Sequence, residues 1–133
     1  MAIFRPTQES NVCKLNFDDK FIYELPLHED TTKAIAKVAE KQMQALKQIK
    51  DNDDDGFDKA YNLALDAIDG ILGEGAGADI MSLYSKPSLF DIAAVISFIT
   101  KEYKVAYNAR LNAYKAQGAV PPTNAPNNKR GRR

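Results

Sequence analysis

The chain has 133 residues, enough for one domain whose core folds unaided. Apolar residues make up 44% and charged residues 27%, as in ordinary soluble globular proteins. Formal net charge is zero, with 18 basic against 18 acidic side chains, which argues against a generally nucleic-acid-binding or membrane-binding surface.

The neutrality hides two opposed clusters. Five aspartates lie between Asp51 and Asp58, and four of the last five residues are Lys or Arg. Cys13 is the single cysteine, so no intrachain disulfide forms, which fits a reducing compartment. No apolar run reaches the roughly 18 residues that a membrane span needs. Met1 to Ser10 has no apolar core flanked by a cleavage site, so no secretory signal is expected.

In chain order, Val12 to Phe17 and Lys20 to Leu25 are two short runs joined by Asp18-Asp19. The first places Cys13, Leu15 and Phe17 on one face; the second is aromatic and β-branched. Two strands with a tight acidic turn are expected, ended by Pro26, which has no N–H for a ladder. A lone hairpin is marginal in water, so it must pack on helices or join another sheet.

Asp30 or Thr31 is placed to cap the next element. Ile35, Val38, Ala39, Met43, Leu46 and Ile49 then recur at helical spacing, giving an amphipathic helix of about five turns. After Asp51 to Gly56, a second helix carries Phe57, Ala60, Tyr61, Ala64, Leu65, Ile68 and Leu72 on one stripe. Its first turn is acidic, as the helix dipole favours. Gly73 suits the left-handed position that ends helices. A short third helix is expected over about Asp79 to Tyr84. Ser88 with Asp91 resembles a capping box, opening the longest helix, Ser88 to Gln117. Ile92, Val95, Ile96, Ile99, Tyr103, Ala106, Tyr107, Leu111 and Tyr114 follow its 3.6-residue period, while Phe90, Ala94, Phe98 and Val105 widen the apolar surface. Gly118 to Arg133 is rich in Pro, Asn and basic residues and has no aromatic, so it is expected to be disordered and dispensable for folding. The fold class is therefore α+β, mainly α-helical. An N-terminal β-hairpin and three or four helices form one domain over 1–117, followed by a basic tail over 118–133.

Several stretches invite a chemical reading. Asp51, Asp53, Asp55 and Gly56 match positions one, three, five and six of an EF-hand loop. Position twelve is Asn62, where a bidentate Glu is needed, and Asp58 fills an apolar position. A small calcium-binding helical module is the alternative this loop raises; an acidic turn capping the second helix is the plainer reading. Gly73-Glu74-Gly75-Ala76-Gly77 lacks the Lys-Ser/Thr of a P-loop and follows a helix, not a strand, so it reads as a corner. His28 and Cys13 are single residues of their kind, too few for a zinc site, and a nucleophile needs an oriented base; local roles are expected, His28 near a helix start and Cys13 in the hairpin. Lys129-Arg130-Gly131-Arg132-Arg133 offers only weak, salt-sensitive contact to nucleic acid. No catalytic residue, metal or cofactor is called for.

Ala67-Ile68-Asp69-Gly70-Ile71-Leu72-Gly73-Glu74-Gly75, then Ile80, then a helix with Leu89-Phe90-Asp91 and Ile96-Ser97-Phe98-Ile99, resembles the tail assembly chaperones of long-tailed, siphovirus-type bacteriophages and prophages of Gram-positive hosts. The likeness covers Ala64 to Tyr103 and, more loosely, the hairpin. It implies a non-enzymatic protein of the host bacterial cytoplasm, absent from the mature virion. Such chaperones hold the tape measure protein soluble and extended while tail tube protein polymerises around it. Many occur in two lengths through a frameshift, the longer form recruiting tube protein. The A-rich codons of Asn127-Asn128-Lys129 are compatible with a slippery site. Another phage structural or connector protein is the rival within the same setting.

The residues agree with a binding role. The last helix has more apolar surface than a hairpin and two or three short helices cover, so a homo-oligomer or a complex with an apolar helical client is expected. Phe90, Ile96, Phe98, Tyr103 and Tyr107 are the expected contact residues. Gly73, Glu74, Gly75 and Gly77 form the expected hinge, since glycine tolerates unusual backbone angles.

Overall fold

The computed structural model describes residues 1–4, 11–47, 49 and 54–116. Strands β1 (Val12–Phe17) and β2 (Phe21–Pro26) precede helices α1 (Glu29–Lys47), α2 (Asp54–Leu72), α3 (Ala76–Met81) and α4 (Leu89–Ala116). This is the expected mainly helical α+β arrangement, an antiparallel hairpin followed by four helices. The proposed tail over 118–133 lies outside the described residues.

The hairpin pairs Val12 with Pro26 and Phe17 with Phe21. Asp18 and Asp19 both adopt φ of 58°, the left-handed region that the tight, twist-matched hairpin turn demands and that Asp tolerates. Asn16 braces them: its Nδ2 donates to Asp19 Oδ1 at 2.9 Å, and the Asp19 amide donates back to Asn16 Oδ1 at 2.8 Å. The register turns Cys13, Leu15, Phe17 and Leu25 inward and Lys14, Asn16 and Glu24 outward.

α1 starts earlier than the sequence indicates. His28, not Asp30 or Thr31, caps it. The Asp30 amide donates to His28 Nδ1 at 3.0 Å, and the Thr32 amide donates to the His28 carbonyl at 3.0 Å. Ile35 and Val38 enter the core, but Met43 and Leu46 on the same apolar stripe stay 60% and 41% exposed. α2 buries Ala60, Ala64 and Ile68, and the two alanines let its backbone come close to its neighbours. α3 begins at Ala76 rather than near Asp79, because Gly75 (φ 87°) turns the chain directly into it. α4 opens on the expected box. Ser88 N–H donates to Asp91 Oδ2 at 2.9 Å, and Asp91 N–H donates to Ser88 Oγ at 3.3 Å, so two otherwise unpaired end groups find acceptors.

One fully buried side chain from each of β1, α2 and α3 (Leu15, Ile68, Ile80) meets Ile92 and Ile99 of α4. α4 is thus the spine: its Ile92–Val95–Ile96–Ile99–Tyr103 face packs against the hairpin, α1 and α2. Burying each such aliphatic side chain contributes about 1.5–3 kcal/mol, which holds these short elements to the long helix.

Candidate interaction surface

The expected contact residues of α4 separate into inner and outer sets. Ile96 and Tyr103 are enclosed in the core, so Tyr103 offers no free surface and Ile96 reaches only the floor of a groove. Both are among the expected contact residues; Ile96 keeps a groove floor and Tyr103 packs as a core residue. The cause is the 3.6-residue period itself, which puts both on the side that faces the hairpin and α1.

Tyr103 has a defined structural role. Its hydroxyl donates to the His28 carbonyl at 3.0 Å, lies 2.9 Å from Thr32 Oγ1, and accepts from the His28 amide at 3.3 Å. It therefore pins the first turn of α1 to the middle of α4. Tyr107 is half-buried beside it, ring centroids 6.0 Å apart.

Phe90 and Phe98 point outward. Phe90 is 85% exposed and lies beside an open groove of about 490 Å³ with Phe57, Tyr61, Pro87 and Leu89. Phe98 is 38% exposed and sits edge-on to Phe17, centroids 5.3 Å apart at 71°. It borders a second groove of about 340 Å³, floored by Ile80 and Val95 and flanked by Leu83 and Tyr84. Edge-to-face packing of this kind holds an aromatic ring in place while leaving one side free.

A third groove of about 420 Å³ runs between α1 and α4, with Met43, Leu46 and Ile96 as its apolar lining. A fourth, about 430 Å³, lies between α1 and α2 and includes Val38, Leu63 and Ile71. Met43 and Leu46 read from the sequence as ordinary stripe positions, and Leu63 lies off the α2 stripe. Nothing in their spacing shows that they stay exposed among the described residues.

The glycine corner is braced on α2. The Gly77 amide donates to Asp69 Oδ1 at 2.7 Å, and the Gly73 amide donates to the Asp69 carbonyl at 2.8 Å. A Cβ on Gly77 would come within 2.9 Å of the Leu65 carbonyl oxygen. Gly73 (φ 121°) and Gly75 (φ 87°) face open space, and Glu74 is exposed between them. Spacing does not mark Asp69 as a corner residue, since it lies eight positions before its partner Gly77.

The calcium reading fares differently. Asp51 and Asp53 lie outside the described residues. Asp55, Gly56 and Asn62 are all inside α2, whereas an EF-hand keeps positions five and six in a loop wrapped around the ion. Among the described residues no cluster of three His, Cys, Asp or Glu is placed to hold a metal. Cys13 is buried, and burial, with Glu102 as a lesser cause, pushes its thiol pKa up; this is the reverse of what activates a nucleophile. Burial also raises the Tyr23 and Tyr61 hydroxyls, helped by Asp79 and Asp69 at Tyr23 and by Asp91 at Tyr61. No described helix is long and apolar enough to cross a membrane.

No protein-family model, curated protein or solved structure matches the chain.

Proposed function

We propose that this protein is a tail assembly chaperone of a long-tailed bacteriophage or prophage. It binds the tape measure protein in the host cytoplasm, assists polymerisation of tail tube protein around it and leaves before the virion matures. It works by binding, without catalysis, metal or cofactor. Tail tube protein is a further partner, and the chaperone self-associates.

One observation carries the binding part of this reading. The core is closed by Leu15, Ile68, Ile80, Ile92 and Ile99, yet Phe57, Phe90, Phe98, Met43, Leu46 and Leu63 remain exposed beside apolar grooves. Exposed apolar area gathered beside grooves is a mark of a partner site. Helical clients dock in such grooves through residues spaced three and four apart. The identity of the client comes from the likeness of Ala67 to Gly75 and Leu89 to Ile99 to the chaperone family.

Co-expression with a tape measure protein tests the reading. The expected result is a soluble complex that contains both chains. A tape measure protein that stays insoluble beside an abundant, folded partner removes the chaperone function.

A further inference from the structure

We propose that the groove between α1 and α4 docks an amphipathic helix of a partner whose apolar stripe is edged by glutamate or aspartate. The inference rests on the reading of this chain as a binder of helical clients and adds the site and its chemistry.

The apolar lining of the groove is Ala39, Met43 and Leu46, over about two turns of α1, with Ile96 of α4 opposite. Met43 is an adaptable side chain, suited to surfaces that receive a variable apolar partner. Lys101 and Lys104 stand on the α4 rim, both exposed and neither in an ion pair among the described residues. Among the described residues no acidic side chain lines this groove, although the chain as a whole carries equal numbers of acids and bases. Lys101 and Lys104 are thus the charged side chains of its described lining.

A carboxylate on the edge of the occupant's apolar stripe neutralises Lys101 or Lys104. A nucleic acid supplies anions but leaves Met43 and Leu46 against phosphate, so a helix with an apolar stripe is the better match.

The test uses the full chain and two fluorescein-labelled helical peptides of about 18 residues, about five turns each. Both carry one leucine stripe; one has glutamates along both edges and the other lysines. By fluorescence anisotropy at low salt, the glutamate peptide should bind tighter than the lysine peptide by about tenfold or more. Lys101→Glu combined with Lys104→Glu should invert that order with an unchanged circular dichroism spectrum, since both side chains are exposed. Met43→Asp should weaken both peptides. The proposal is overturned if neither peptide binds, if the two bind the wild type equally, or if the double charge reversal leaves their order intact. It is overturned too if that reversal changes only the mass of the protein by light scattering, since the groove then belongs to a second copy. Co-expression with a tape measure protein separates this from the functional reading. A soluble tape measure protein with no charge-dependent peptide order leaves the chaperone standing without this groove. The charge-dependent order with an insoluble tape measure protein leaves the groove standing without the chaperone.

Discussion

The Gly77 amide donates to Asp69 Oδ1 at 2.7 Å, so one carboxylate of α2 anchors the first turn of α3. The corner between these helices is thereby tied at both sides. The Asp69 backbone carbonyl accepts from Gly73, and its side chain accepts from Gly77.

Three substitutions separate the contributions that hold this corner. Gly77→Ala forces a Cβ to 2.9 Å from the Leu65 carbonyl oxygen, and should lower stability by about 1–3 kcal/mol. Asp69→Ala leaves the Gly77 amide without its acceptor and should cost about 1–3 kcal/mol. Gly75→Ala meets no neighbouring atom, so its cost should come from the positive φ alone, about 1–2 kcal/mol. Urea denaturation of the three variants measures each loss. An unchanged Gly77→Ala midpoint would show that α3 moves freely away from α2.

Tyr103→Phe keeps the ring in the core but removes the hydroxyl that joins His28 and Thr32 to α4. The expected loss is about 1–2 kcal/mol. Tyr103→Ala should cost about 3–5 kcal/mol, because it also opens a cavity. Thermal or chemical unfolding of both variants checks the ordering. Equal losses would mean that the hydroxyl contributes nothing.

Phe90→Asp should leave stability within about 0.5 kcal/mol of the wild type, since the side chain is 85% exposed. Phe98→Asp should be more damaging, because it removes the edge-on contact to Phe17. Both should weaken any partner or self-association seated on those grooves, measured by light scattering and pull-down. A Phe90→Asp protein that unfolds would place Phe90 in a core that the structure does not show.

Stability should decline in alkali. Burial raises the Cys13 thiol above its ordinary 9.0 and the Tyr23 and Tyr61 hydroxyls above 10.0. As pH rises, the unfolded chain gives up these protons first, so stability is full below the unfolded pKa values and is lost above them. Denaturation midpoints should fall above about pH 9, and Cys13→Ala should make the first part of that fall shallower. In the native state the thiol should resist alkylation until denaturant is added. Stability that rises over the same range would contradict the burial of these groups.

Much of the architecture is legible in local chemistry. Asp18-Asp19 mark the turn because both tolerate positive φ. Ser88 and Asp91 mark the start of α4 because each supplies what the other's amide lacks. The start of α1 is less legible, since His28 caps through a ring nitrogen and histidine is not among the usual caps. The start of α3 is hidden because Gly75-Ala76-Gly77 reads as a break, while the small size of Gly77 serves a close approach to Leu65 that only the folded chain reveals. The surface is the least legible part. Periodicity shows that Met43, Leu46 and Ile96 lie on apolar faces, but coverage depends on which neighbour lies over each face. That is why Ile96 and Tyr103 turn inward while Phe90, Met43 and Leu46 stay exposed.

The most direct measurement is co-purification of a tagged tape measure protein with this chain, wild type against Phe90→Asp and Met43→Asp. The wild type should keep the tape measure protein in the soluble fraction and elute with it, and the two variants, folded by circular dichroism, should retain less of it. A tape measure protein that is equally insoluble with and without the wild-type chain would contradict the proposed chaperone function.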